Sequence, residues 1–473
     1  MRHFMTSLAL SNLTIEYPTE HQNISVITDT SLTFVEPSFN LLIGPSGSGK
    51  STFLKALAGL YPEYGSNVTG TILLDDQPIT TYSIQQRTKK IGMLFQNPSE
   101  QFAMTTPLHE IIFTLENLSL TASEIDERAQ YALAFVGISH LAHRQLNTLS
   151  GGEAQKVALA VVLAMQSDII LLDEPFASVD PLARLDLLTK LKELVKRGHT
   201  IIISDHDLAG YQNLAPNLFA IEAHQVKKIT PAPALFKPFN TLQANFTLPP
   251  ANAEIVLNAP SLQITTGQTK LLATENFNLL KNKMTLLTGP NGVGKSTLFG
   301  ALTKLHPYTG SIFYLDQNIK KIKTPQYARQ VALIFQQAEM QFLKMTLKEE
   351  LELSLKYANY PELWSETKLT EVLAFLNMAE MQDHIIYQLS GGQKKKLQIL
   401  IMLIIGTPVL LLDEPLAGLD LASVDRIMSL IKQMTRKQNQ TVLMISHQLT
   451  GIPDYFDYHL VFNHQSITYE EVL

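Results

Sequence analysis

Residues 44–52 read GPSGSGKST and residues 289–297 read GPNGVGKST, and this pair of stretches decides the architecture. Each follows an apolar run, Leu41–Ile43 in the first and Met284–Leu287 in the second. After the first, Phe53, Leu57 and Leu60 recur at helical spacing. A strand, a turn of the pattern G-x-x-x-x-G-K-[ST] and a helix in that order form a phosphate-binding loop. Glycines let the backbone wrap around phosphate oxygens, the N–H groups at the helix start favour anions, and the lysine adds a full positive charge. The candidate nucleotide-binding residues are Gly44, Pro45, Ser46, Gly47, Ser48, Gly49, Lys50, Ser51 and Thr52, and Gly289, Pro290, Asn291, Gly292, Val293, Gly294, Lys295, Ser296 and Thr297. A Gly-rich turn alone is often only a turn; a second copy in the same context gives this one its meaning.

Working outward, LFQ at Leu94–Gln96 recurs as IFQ at Ile334–Gln336, LSGG at Leu149–Gly152 recurs at Leu389–Gly392, and LLDEP at Leu171–Pro175 recurs at Leu411–Pro415. His206 in SDH has its counterpart in His447. Ordered matches at offsets of 245, 240, 240, 240 and 241 mean duplication. The step from 245 to 240 reflects five extra residues between the first phosphate loop and TGTILL at Thr69, whose partner is TGSIFYL at Thr309. Ile169–Leu172, Ile201–Ile203, Val409–Leu412 and Val442–Ile445 are continuous apolar runs, as in parallel strands buried on both faces. Between Gln96 and Ser150 the pattern is mostly helical, at Glu110–Leu118 and Ile125–Val136, which predicts an inserted helical subdomain. The expected layout is a first domain over residues 1–229 with its helical part at about 97–150, a linker over 230–254, and a second domain over 255–473 with its helical part at about 337–390. Fully extended, the linker would span roughly 80 Å, so the halves are free to pair within one molecule.

With 473 residues, 45% hydrophobic and 17% charged, the chain has the apolar content for large cores. The lack of cysteine excludes disulfides, thiolate metal sites and a cysteine nucleophile, and suits a reducing compartment. A net charge of −6, carried by residues 1–240, argues against a nucleic-acid binder. Met1–Ser11 is too short and broken for a secretory signal, and Ile399–Leu412, interrupted by Gly406, Thr407 and Pro408, falls short of the ~18 residues of a membrane span. It reads as a buried helix followed by a buried strand.

Chemistry gathers at the strand ends. Asp173 and Asp413 end apolar runs, where a carboxylate can approach a metal shell, with Ser51 and Ser296 as further oxygen ligands. Glu174 and Glu414 follow directly and can act as general base on an attacking water. Gln96 and Gln336 can sense a γ-phosphate or water and join the metal set, and His206 and His447 can touch the γ-phosphate. Alone, each would be read as structural; recurrence in pairs reverses that. Tyr17 is a candidate adenine platform, whereas the second half has Thr266 at that register.

P-loop, glutamine, LSGG, DEP and histidine in this order resemble the nucleotide-binding domain of ABC-type ATPases, twice over nearly the whole chain. The resemblance implies an α/β fold of two such domains, each with a mostly parallel core sheet, an antiparallel β part and an inserted helical subdomain. It implies ATP and Mg²⁺ as cofactors. It also implies head-to-tail pairing, in which the P-loop site of one half is completed by Ser390, Gly391, Gly392 and Gln393, and that of the other by Ser150, Gly151 and Gly152. Glu153 stands where the second half has Gln393, with a mild effect expected. Asp180 and Asp420 resemble the loops through which the sites communicate, and both sites are expected to hydrolyse. FQNPSEQF at Phe95–Phe102 and HEIIFTLEN at His109–Asn117 are similar to the ATPases of energy-coupling factor importers, which take up vitamins and transition-metal ions. The second half, FQQAEMQF at Phe335–Phe342, is looser. Implied partners are an integral membrane coupling protein and a small substrate-binding membrane protein, with the ATPase on the cytoplasmic face of the membrane. A sugar-importer ATPase and an ABC-F type ribosome factor are the alternatives; the latter would carry a charged interdomain helix pair, but residues 230–254 hold one lysine and one glutamate.

Overall fold

A computed structural model describes residues 7–18, 23–35, 37–61, 65–98, 101–177, 179–214, 216–239, 244–266, 269–274 and 276–473. The chain divides into two compact units, Met1–Asn240 and Thr241–Leu473. Ser99 and Glu100 of FQNPSEQF and Ser178 of SVD lie outside the described residues.

The core of the first unit is a six-stranded sheet in the order Gln225–Ile229, Asn217–Glu222, Phe39–Ile43, Thr200–Ser204, Ile169–Asp173, Ile91–Leu94. All pairings are parallel except the first. The second unit repeats the order with Ser466–Tyr469, Tyr458–Asn463, Met284–Thr288, Thr441–Ile445, Val409–Asp413 and Val331–Ile334. Parallel neighbours end on the same side, so this order alone brings four motifs together. The phosphate loop follows Ile43, Glu174 follows Asp173, His206 lies two residues past Ser204, and Gln96 two past Leu94.

The apolar runs are buried on both faces. In the second unit Leu286, Leu410, Leu412, Val442 and Met444 enter one core, while Leu287, Val409, Leu411, Leu443 and Ile445 enter the other. Alternation along each strand divides the residues between the two layers, which explains their unbroken hydrophobicity. A smaller sheet with antiparallel pairings covers each unit: Asn23–Phe34, Leu8–Pro18, Asn67–Leu74 and Gln77–Pro78 in the first. Among the described residues no helix is long and apolar enough to cross a membrane, and Ile399–Leu412 is divided between the helix Gly391–Ile405 and the strand Val409–Asp413.

The helical subdomain starts each helix with a side-chain cap. Thr106, Thr121 and Ser150 cap Pro107–Glu116, Ala122–Phe135 and Gly151–Met165; Thr346, Ser365 and Ser390 cap Leu347–Lys356, Glu366–Phe375 and Gly391–Ile405. One local expectation changes. The first P-loop helix spans Lys50–Leu57, so Leu60 lies beyond it, its N–H donating to Lys55 O at 3.0 Å. Parts of Thr230–Glu254 carry local structure. Pro233–Phe236 is a helical turn whose Phe236 is buried with Phe239, while Phe246 packs into the second unit's core and its N–H bonds Glu471 O at 2.7 Å.

Candidate functional site

Each phosphate loop turns on glycines with positive φ: Gly47 at 81° and Gly49 at 99°, Gly292 at 76° and Gly294 at 110°. At Gly49 a Cβ would meet the Val26 side chain at 2.4 Å, so no other residue fits there without displacement. Gly49 and Gly294 precede helices Lys50–Leu57 and Lys295–Leu302 without capping them, which leaves the first N–H groups for an anion. Lys50 Nζ donates to Gly44 O and Pro45 O at 2.9 and 3.0 Å, and Lys295 Nζ to Gly289 O and Pro290 O at 2.7 and 2.9 Å. The ammonium thus lies over the loop into which phosphate would settle.

Asp173 and Asp413 end fully buried strands. Glu174 and Glu414 then adopt φ 49°, a left-handed conformation that costs an L-residue energy and that recurs here in both units. The turn brings the second carboxylate alongside the first: Lys50 acts on both Asp173 and Glu174. Burial, with Glu174 beside it, pushes Asp173 up to about 6, although the Ser204, Ser51 and Lys50 side chains favour its ionised form. Burial likewise pushes Asp413 up to about 6, against Ser296, Lys395 and Lys295. Asp173 Oδ2 and Asp413 Oδ1 are buried without a hydrogen-bond partner among the described residues. An orphaned carboxylate oxygen beside a serine hydroxyl fits Mg²⁺, a hard cation that takes one or two carboxylates plus substrate phosphates rather than an all-protein cage. No group of three or more His, Asp or Glu side chains among the described residues could hold a metal ion by itself.

Gln96 Nε2 donates to Glu174 Oε2 at 2.8 Å, and His206 Nε2 abuts Glu174 Oε1. Burial would raise Glu174, yet His206, Lys50 and Gln96 together hold it below the usual carboxylate range. In the second unit His447 Nε2 stands 3.4 Å from Glu414 Oε1 and its backbone N–H donates to Glu414 Oε2 at 3.1 Å. The first unit therefore brings Lys50, Ser51, Asp173, Glu174, Gln96 and His206 to one sheet edge, and the second matches it with Lys295, Ser296, Asp413, Glu414, Gln336 and His447.

Tyr17 is half-buried, its hydroxyl 2.7 Å from Tyr61 Oη and 3.3 Å from Thr52 Oγ1, which ties it to the residue that closes the phosphate loop. Ser150 and Ser390 start the signature helices through capping boxes with Glu153 and Gln393. Either residue type can close that box, which accounts physically for Glu153 in the first copy. Asp180 and Asp420 cap helices Pro181–Lys196 and Leu421–Gln438, accepting from Ala183 N at 2.9 Å and Ser423 N at 2.8 Å.

Several supporting residues went unread in the sequence. Gln101 donates to Met93 O at 3.1 Å and accepts from Phe95 N at 3.1 Å, clamping the chain just before Gln96. Buried Glu110 takes the N–H groups of Ala103 and Met104, as Glu350 takes those of Leu343 and Lys344. Gln101 and Glu110 lie inside stretches quoted above, and for Glu110 and Glu350 a glutamate in the first turn after a capping threonine was the available signal.

The family described as "ABC transporter" matches residues 27–177 and 272–417. The chain belongs to this family. It is a tandem ABC ATPase whose domains bind and hydrolyse ATP. It is 32% identical to "Putative HMP/thiamine import ATP-binding protein YkoD" of Bacillus subtilis strain 168, over 99% of this chain and 92% of that protein. It is 26% identical to a "Putative ABC transporter ATP-binding protein" of Methanosarcina mazei, over 94% and 85%. The solved structure "Model of ribosome-bound archaeal Pelota and ABCE1" shares the fold at TM-score 0.69 and 20% identity, covering 98% of this chain and 78% of that one. That likeness shows a tandem ABC ATPase fold and nothing finer.

Proposed function

We propose that this ABC ATPase is the energising subunit of an energy-coupling factor type importer that takes up a vitamin or a transition-metal ion. The observation that carries the reading is the equivalence of the two sites, each with lysine, serine, aspartate, glutamate and histidine on one sheet edge, within a chain similar along its length to one named for HMP/thiamine import. Vitamin-type cargo is favoured by that name.

In this reading the P-loop N–H groups and Lys50 or Lys295 bind the nucleotide's phosphates. Ser51 with Asp173, and Ser296 with Asp413, would hold Mg²⁺, which supplies charge neutralisation on the phosphates when bound. Glu174 and Glu414 take the proton from the attacking water, Glu174 kept ionised and oriented by Gln96 and His206 and Glu414 oriented by His447. Ser390 through Gln393 complete the site built on Lys50, and Ser150 through Gly152 the one built on Lys295. Closure on ATP and reopening after hydrolysis would move the membrane partners between conformations.

A membrane partner is further supported by an apolar edge on the second unit. Leu343, Met345, Ile385 and Tyr387 are 79, 59, 37 and 57% exposed around the bridge that joins Thr346 to Ile385, where the first unit carries Ala103, Thr105, Gln145 and Asn147. The deciding experiment is affinity purification of the tagged chain from detergent-solubilised membranes. An integral coupling protein with a small substrate-binding membrane protein is the expected yield; ribosomes, or a sugar-importer permease pair, would overturn the reading.

A further inference from the structure

The two signature helices differ at one buried position. The fifth residue after Ser150 is Gln155, 3% exposed, whose Nε2 donates to Glu174 O at 2.9 Å. The fifth after Ser390 is Lys395, 8% exposed, whose Nζ donates to Gln336 O at 2.5 Å and to Glu414 O at 3.0 Å. A lysine is rarely buried unless partners compensate its charge. Here two carbonyls accept hydrogen bonds from its N–H groups, and Glu414, Asp413 and Glu339 lie near it with negative charge.

The difference extends to the glutamine that precedes each helical subdomain. In the first unit the Gln96 amide itself reaches Glu174 Oε2 at 2.8 Å, so side chain binds side chain. In the second, no hydrogen bond among the described residues joins the Gln336 side chain to Glu414. The connection between the two runs instead through Lys395, from the backbone of one to the backbone of the other. A four-methylene stem with three N–H donors can bridge two carbonyls, and a charged donor strengthens both bonds.

We infer that Lys395 is the positioning residue of the second site, holding the Gln336 loop against the Glu414 turn from the signature helix, a task that Gln96 performs directly in the first. This rests on the reading of Gln336 and Glu414 as working residues of ATP hydrolysis. It gives the second unit a link that the first lacks. The helix that begins at Ser390 is bonded to both the glutamine loop and the glutamate turn of its own unit, so motion of that helix is felt at both.

The test compares Lys395→Met and Lys395→Gln with Gln155→Met in the full-length chain. Lys395→Gln places the first unit's own residue in the second, so it is compatible with folding; intact melting curves verify this. Hydrogen exchange of the segment 335–341 should quicken ~10-fold or more in Lys395→Met, while that of 95–98 in Gln155→Met changes less. The kcat for ATP should fall ~10-fold in Lys395→Met with KM moved less than ~3-fold, and Lys395→Gln should fall between it and the parent. Turnover is read both in the native chain and in a Glu174→Gln background. If Glu174→Gln abolishes all turnover, the sites are obligately coupled and the native-chain values report the second site. Unchanged exchange, or faster exchange with unchanged kcat, overturns the assignment. Retained turnover in Glu414→Gln would instead overturn the catalytic reading beneath it.

Discussion

The two units carry the same motifs on the same sheet and differ in what stands behind them. In the first, Ser204 donates to Asp173 Oδ1 at 2.6 Å; in the second, Ile445 occupies that position. Behind His206 lies a buried charged network in which Arg184 meets Asp205 at 3.3 Å and Asp207 at 2.7 Å, while Tyr211 donates to Asp205 at 2.8 Å. Its counterparts in the second unit are Val424, Ser446, Gln448 and Ile452, of which Val424 and Ile452 join the apolar core. Duplication has thus kept the groups that would touch nucleotide and let their supports diverge. Polar support fixes the direction of a side chain, and apolar support fixes only its volume.

The largest expected effect tests whether the shared motifs do the same work. Glu174→Gln with Glu414→Gln should lower ATP turnover by ~10²- to 10⁴-fold while nucleotide binding persists, since the amide keeps the shape and loses the base. Each single change, measured alone, then tells whether the better-held Glu174 and the less constrained Glu414 contribute equally. Turnover within a few-fold of the parent in the double variant would remove both from the mechanism.

Next in size is a test of whether the differences stay within a unit. Gly391 is exposed, and a Cβ there meets nothing within 4 Å, so Gly391→Asp adds a carboxylate without steric cost. In a Lys295→Ala background it should reduce single-turnover hydrolysis at the site built on Lys50 by ~10²-fold or more, as loss of an aligned anion donor does. An unchanged rate would break the head-to-tail pairing and leave the two units as separate enzymes.

The motifs themselves were legible because phosphate binding demands glycines, a lysine and a helix start within nine positions of the chain, and because every such group occurs twice. The sheet was legible through its apolar runs. What escaped was polar and aimed at the backbone: Gln101, Glu110, Gln155 and Lys395 act on backbone N–H or C=O groups, which every residue carries and no pattern marks. Leu60 was misplaced for a different reason. Apolar spacing continues past the point where the helix hydrogen bonds end, at Ala58 and Gly59.

Third in order is the charged network of the first unit. Arg184 and Asp205 are 6 and 7% exposed, and removing one partner of such a buried pair costs roughly 3–5 kcal/mol because the other charge stays behind. Arg184→Val, which copies Val424, should therefore destabilise the first unit by about that much and leave hydrogen exchange in the second unaltered. Adding Asp205→Ser and Tyr211→Ile, as in the second unit, should recover part of the loss. No recovery would mean that the network cannot be exchanged for the apolar solution one group at a time.

The smallest effect concerns Ser204. Its hydroxyl is a single neutral donor to a carboxylate, and losing such a bond costs roughly 1–3 kcal/mol when the acceptor remains buried. Ser204→Ile would remove the donor to Asp173 Oδ1 beside an Oδ2 that is already unpartnered, and the hydroxyl's stabilisation of the ionised form would be gone. The expected result is weaker Mg²⁺ dependence of nucleotide binding at the first site, by ~10-fold at most, with the fold intact. The reverse change, Ile445→Ser, offers Asp413 the missing donor and should tighten the second site by less, because a polar group would also enter the core that Ile445 now fills. If Ser204→Ile has no effect on Mg²⁺ dependence, then the serine only ends a strand, and the two sites are closer in chemistry than their surroundings suggest.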